Sequence, residues 1–163
     1  MEETFKAYVA GFIDGEGFVD IHRQATEKTM KSRGLKNPSF QPIVQISNSN
    51  KEVLDKIHAT YGGSIYSRRK KDGHKQIYSF VVTARKAEKL LTDILPYLVI
   101  KKIQAELVLK FYSEGIAFPD RNKVPVEELV RRENIYMSLR NLNYKGDNRP
   151  QRLSEVPPEL VAA

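Results

Sequence analysis

The chain of 163 residues contains no cysteine and no tryptophan, and only three histidines. Without cysteine there is no disulfide scaffold, no thiolate metal centre and no cysteine nucleophile. No apolar run approaches the roughly 18 residues that span a bilayer, so no membrane is expected among its partners. The first residues, Met1-Glu2-Glu3-Thr4, are acidic where a secretory leader would be basic. Also missing are a P-loop, a GxGxxG, an HExxH and a GxSxG sequence. Together these absences point to an intracellular protein of the cytoplasm, nucleoid or an organelle. They leave few routes to chemistry.

What is present is an ordinary globular composition with an excess of positive charge. Lysine and arginine number 27 against 20 acidic residues, a formal charge of +7. Such an excess suggests a polyanionic partner, nucleic acid first, or a generally basic protein.

Apolar periodicity predicts an α+β fold. Phe5, Tyr8, Val9 and Phe12 mark a helix over 4–14. Its other side carries Ala7, Ala10, Gly11 and Asp14, nearly bare of bulk. That side is either a close helix–helix contact or a plain solvent face. Strands follow at 17–26 and 40–48, separated by a polar loop at 27–38. A second helix begins at Asn48 or Ser49 and carries Val53, Leu54, Ile57 and Tyr61. A hairpin pairs 64–71 with 75–83 around Asp72-Gly73, a strong turn signal. Helices are expected at 85–95, 101–114 and 126–142, the last with Pro125 in its first turn. The order αββαββα, plus two C-terminal helices, places helices on one face of a four-stranded antiparallel sheet. Residues 1–112 form the core; 113–163 add a helical extension and an irregular tail to the same domain.

The face of the sheet away from the helices collects Asp20, His22, Gln24, Gln41 and Gln45. It continues with Tyr66, Arg68, Lys70, Lys75 and Ser79. These side-chain types hydrogen-bond base edges in a DNA major groove, and a solvated face is the alternative. The Gly15-Glu16-Gly17 turn offers a carboxylate beside backbone carbonyls. That is a hard-oxygen set suited to Mg²⁺, unless it is only an exposed turn. Lys101 is by default a solvated charge.

Val9-Ala10-Gly11-Phe12-Ile13-Asp14-Gly15-Glu16-Gly17 resembles the LAGLIDADG motif of homing endonucleases, in its single-motif group. The resemblance covers residues 4–112. It implies intron-encoded homing endonucleases that cut long pseudo-palindromic DNA sites by metal-dependent phosphodiester hydrolysis. With one motif per chain it implies a homodimer, with Ala7, Ala10, Gly11 and Asp14 at the interface. It assigns Glu16 and Gly15 to Mg²⁺, with Mn²⁺ or Ca²⁺ able to substitute in binding. Lys101 falls on a catalytic lysine, and Asn48 on a position often held by a solvent-orienting glutamine. Lys145, after Leu142-Asn143-Tyr144, is similar to a DNA-contacting C-terminal segment. Two other readings stay open: a maturase that binds intron RNA, and a DNA-binding regulator that does not cleave.

Overall fold

The computed structural model describes residues 2–24, 27–32, 34, 36–68, 73–115 and 120–144. Chain order is α1 (Glu3–Glu16), β1 (Gly17–Gln24), α2 (Glu27–Ser32), β2 (Ser39–Asn48), α3 (Lys51–Tyr61), β3 (Ser64–Ser67) and β4 (Tyr78–Thr83). There follow α4 (Ala84–Ile94), a 3-10 turn (Leu95–Tyr97), α5 (Lys102–Ser113), a second 3-10 turn (Arg121–Lys123) and α6 (Val126–Asn143). The sheet runs β1-β2-β4-β3 with every neighbouring pair antiparallel. Apart from the short α2 between β1 and β2, the αββαββα order and the two C-terminal helices stand as expected.

Several local expectations are corrected. The 27–38 segment is not all loop: α2 forms on Glu27-Lys28-Thr29-Met30-Lys31, a stretch rich in straight-chain helix formers that has no apolar period. The hairpin strands are shorter than 64–71 and 75–83. Lys75 lies exposed ahead of β4, and the ladder ends where Arg68 N–H meets the Ile77 carbonyl at 2.9 Å. Lys70 lies outside the described residues, as does Lys145. Asn50, not Asn48 or Ser49, caps α3, its Oδ1 accepting from Glu52 N and Val53 N. Pro125 stands at the N-cap of α6, one position before the first turn.

Core-facing positions alternate along the strands. Val19 pairs with Val44, which pairs with Val82, and Ile46 lies in one row with Phe80 and Ile65. α1, α3, α4 and α5 supply Ile13, Leu54, Leu90 and Val108 to the same core, and α6 adds Ile135 and Leu139. Pro42 is tolerated in β2 because it lies past Ile43, the last β2 residue that pairs with β4. The edge of β1 is covered by α6, where Asn143 Nδ2 donates to the Val19 carbonyl at 2.9 Å.

The faces of α1 differ from expectation. Val9, Ala10 and Ile13 form its buried side. Ala10 is therefore a core residue of its own chain and not a free-face residue. Tyr8 is 50% exposed and stacks on Phe12. The open side is Thr4, Ala7, Tyr8, Gly11 and Gly15. Of the expected apolar face, Val9 is buried and Phe5 and Phe12 pack partly buried against the core, while Tyr8 turns outward and the small Ala10 turns inward, which lets the helix lie close.

The turn from α3 to β3 needs glycine. Gly63 has φ +98°, and a Cβ there would lie 2.5 Å from the Val81 carbonyl oxygen. Gly63→Ala is expected to destabilise the fold by roughly 1–3 kcal/mol, through left-handed strain plus the clash. Urea unfolding measures this. An unchanged midpoint would contradict the close approach of this turn to β4.

Candidate active site and nucleic-acid interface

The C-terminal end of α1 gathers the groups with chemical potential. Gly17 ends the helix, donating its N–H to the Ile13 carbonyl. A Cβ on Gly17 would lie 2.7 Å from that carbonyl oxygen, so the second glycine of the Gly-Glu-Gly turn is set by local packing. The first is not: a Cβ at Gly15, like one at Gly11, meets nothing within 4 Å. Glu16, between the glycines, is exposed.

Asp14 holds this end in place. Its Oδ2 accepts from Val99 N and its Oδ1 from Lys101 N, each at 2.8 Å. Lys101 is the N-cap of α5, so the Asp14 carboxylate anchors the segment that enters that helix. The Lys101 ammonium in turn donates to the Asp14 carbonyl. That carbonyl belongs to the negative end of α1, which a cation stabilises. Lys101 and Glu16 are thereby brought to the same helix end. Asp14, expected at a subunit interface, is instead committed within its own chain.

Asn48 lies at this end of the sheet too. Gly17 pairs with Ile46, so the last residues of β2 run alongside the Gly-Glu-Gly turn. Asn48 Oδ1 accepts from Asn50 N at 2.8 Å, which leaves the amide Nδ2 as its donor group. Among the described residues no three histidine or acidic side chains converge on one point. The exposed carboxylate at this helix end is that of Glu16, flanked by the backbone carbonyls of its two glycine neighbours.

The outward sheet face is ordered in rows by the strand register. At the Glu16 end, Ser47 faces Ser79, which faces Tyr66. Next come Phe18, Gln45, Val81 and Ser64, then Asp20, Ile43 and Thr83. His22 opposite Gln41, and Gln24 opposite Ser39, form the far end. His22, Gln24, Gln41, Tyr66, Arg68 and Lys75 are exposed, and Gln45 is half-buried. Two expected contact residues are buried instead. Ser79 lies beneath Arg68, whose Nε donates to its Oγ at 3.1 Å. Asp20 is 2% exposed where Arg140 and Asn143 of α6 come against it. Burial pushes its carboxyl above the usual range, against the Ile21 N–H, Arg140, His22 and Asn143.

Sequence reasoning does not find Ser47, the place of Gly15 on the open helix face, or the role of Asp14 within its own chain. Ser47 shares the parity of Gln45, and Gly15 stands four residues after Gly11. Both are legible signals. The Asp14 clamp joins residues 85 positions apart in the chain, and no local pattern announces it.

The family model described as LAGLIDADG endonuclease matches residues 9–112. No curated protein matches the sequence significantly. The fold is similar to that of the homing endonuclease I-CvuI, solved with its target in the presence of Ca. The TM-score is 0.67 at 22% identity, over 90% of this chain and 86% of that one. It is similar also to the archaeal intron-encoded homing endonuclease I-Vdi141I complexed with DNA, with TM-score 0.67, 23% identity, and 98% and 97% of the two chains covered. The group I intron-encoded homing endonuclease I-CeuI, complexed with DNA, gives TM-score 0.59 at 17% identity, over 92% of this chain and 70% of that one.

The Asp14 clamp carries a pH signature. Burial alone would raise the carboxyl, but the N–H groups of Val99, Lys101 and Ile100 and the Lys101 charge outweigh it. Its pKa in the folded chain is thus lowered. The stability it contributes is present above the unfolded carboxylate pKa of about 3.9, and is lost as pH falls through the lower folded value. Asp14→Ala should cost about 1–2 kcal/mol at neutral pH. The gap from wild type should close in strong acid. Urea unfolding at a series of pH values reads both. A gap that stays constant into strong acid would show that the clamp does not rest on the charged carboxylate.

Proposed function

The chain belongs to the LAGLIDADG endonuclease family and is a site-specific DNA endonuclease; we propose that it is a homing endonuclease acting as a homodimer with divalent metal. The observation that carries this reading is the open side of α1. Gly11 and Gly15 each weaken a helix by about 1 kcal/mol relative to alanine, and nothing in their own chain requires them. Glycines four apart on an exposed helix face let two backbones approach closely. A second copy of α1 across a two-fold axis supplies that second backbone. The interface then consists of Ala7, Gly11 and Gly15 with Tyr8 at its side, and Ala10 behind them in the core.

The same symmetry brings two Glu16 side chains to the axis. Each chain offers one carboxylate and the Gly15 carbonyl, hard-oxygen donors that suit Mg²⁺, Mn²⁺ or Ca²⁺, and two chains double the set. When bound, Mg²⁺ supplies charge stabilisation to the scissile phosphate and lowers the pKa of water beside it. The residues do the rest. Lys101, held at the helix end by Asp14, places a positive charge where negative charge develops on the phosphate. Asn48 offers Nδ2 donors to orient solvent. The outward sheet face lies in the major groove in β-ribbon fashion. At about 3.3 Å per residue, β1 reaches along roughly seven or eight base pairs. In the dimer Tyr66 and Arg68 read near the cut, while His22, Gln24 and Gln41 read further out. Lys75, with Lys70 and Lys145 of the basic segments, adds phosphate contacts. We place the protein in the compartment that holds its host gene, either cytoplasm or organelle.

A maturase would bind intron RNA through the same basic surface, and a regulator would bind DNA without cutting it. Linearisation in Mg²⁺ of a plasmid that carries the intron-insertion junction separates both from the nuclease. Glu16→Gln should abolish cleavage by at least about a hundredfold while duplex binding persists, because the amide keeps the shape and loses the charge. Cleavage at the normal rate would remove Glu16 from the metal site. Gly11→Leu should turn the dimer into monomer by light scattering, with the unfolding midpoint of the monomer intact, since its Cβ enters open space in one chain. A dimer that survives Gly11→Leu would place the interface elsewhere.

A further inference from the structure

The outward face holds one polar network that catalysis does not use. Ser47 and Ser79 are directly opposite on the two central strands, and their Oγ atoms are 2.9 Å apart. Ser79 is 4% exposed. Arg68, the first residue after β3, donates its Nε–H to Ser79 Oγ at 3.1 Å. Its main chain is fixed on both sides: Arg68 N donates to the Ile77 carbonyl at 2.9 Å, and Gln76 Nε2 donates to the Arg68 carbonyl at 2.6 Å.

Arginine only donates, so Ser79 accepts from Arg68. Between the two hydroxyls either oxygen can be the donor, and the second acceptor site of Ser79 lets it hold Arg68 in both cases. With Nε engaged and the backbone pinned, the Arg68 side chain loses much of its rotamer freedom before any ligand arrives. Its Nη1 and Nη2 groups remain as a fork. Such a fork matches guanine O6 and N7 in bidentate geometry. A flexible arginine at the rim would serve a phosphate equally well; one immobilised on the sheet face serves a base edge.

We propose that the Ser47–Ser79 hydroxyl pair is a positioning device that presents Arg68 as a fixed bidentate reader of one guanine in each half-site, an inference that rests on the endonuclease reading. Ser79 and Ser47 touch no base in this scheme. They set discrimination by holding the residue that does.

The test uses the full chain and a randomised double-stranded DNA library, followed by single-base variants of the selected site at two salt concentrations. Wild type should select guanine at one position in each half-site. Arg68→Ala should abolish that preference and leave the other positions as they were. Ser79→Ala should reduce it about tenfold with the salt dependence of binding unchanged, because no phosphate contact is lost. Ser47→Ala should act in the same direction and less strongly. Adding Ser79→Ala to Arg68→Ala should change nothing further at that position. A wild-type preference profile in both serine variants would overturn the positioning role alone. Uniform weakening by Arg68→Ala, with a salt slope lower by about one, would make Arg68 a phosphate contact and overturn it as well. A wild-type chain that selects no sequence would overturn this inference together with the endonuclease reading.

Discussion

The Asp14 carboxylate ties the last turn of α1 to the entry of α5, and the placement of the proposed catalytic groups follows from that tie. Two backbone N–H groups meet one carboxylate, and the Lys101 ammonium returns to the carbonyl of the same residue. A helix C-terminus is a poor place for a carboxylate, since the macrodipole already makes it negative. Here two acidic residues, Asp14 and Glu16, crowd that end. Asp14 is offset by its donors. Glu16 is left exposed, and the Lys101 ammonium sits at the same helix end on the Asp14 carbonyl. The end of α1 thus keeps one committed carboxylate and one available carboxylate side by side.

α1 is also where folding and assembly meet. Its Val9, Ala10 and Ile13 side is a core element that any monomer needs. Its Ala7, Gly11 and Gly15 side lies open in the single chain. One helix thus serves an intramolecular core on one side and, in the proposed homodimer, an intermolecular seam on the other. The sheet is carried on the same element, because β1 begins at the residue after Glu16. In the proposed mechanism, base reading and the chemical centre are thus linked by covalent continuity. The rows nearest Glu16, with Arg68 and Tyr66, are accordingly those that the proposed mechanism sets closest to the cut.

Element types are legible because the apolar periods are clean in α3, α4, β1 and β2. The Gly-Glu-Gly turn is legible because glycine marks a helix C-terminus and a carboxylate placed there runs against the macrodipole. Three features are not. The face of α1 depends on which side meets the sheet: helix periodicity alone places Tyr8 inward and Ala10 outward, whereas Tyr8 is half exposed and Ala10 is buried. Asp20 alternates with apolar neighbours and so reads as outward and exposed, yet α6 returns from the far end of the described chain to bury it. Ser79 reads as a solvent-facing hydroxyl until β3 folds back and Arg68 covers it. Each failure is a tertiary contact between separate segments, which local pattern does not encode.

The absence of cysteine gives direct access to the central claim, that the free face of α1 pairs two copies. A disulfide forms only where Cα atoms approach within about 7 Å. Gly15→Cys, oxidised in dilute solution, is predicted to give a covalent dimer that reductant reverses, while Ser138→Cys on the exposed side of α6 gives none. A Gly15→Cys chain that stays monomeric on oxidation, or links no faster than Ser138→Cys, would contradict the pairing of two α1 helices.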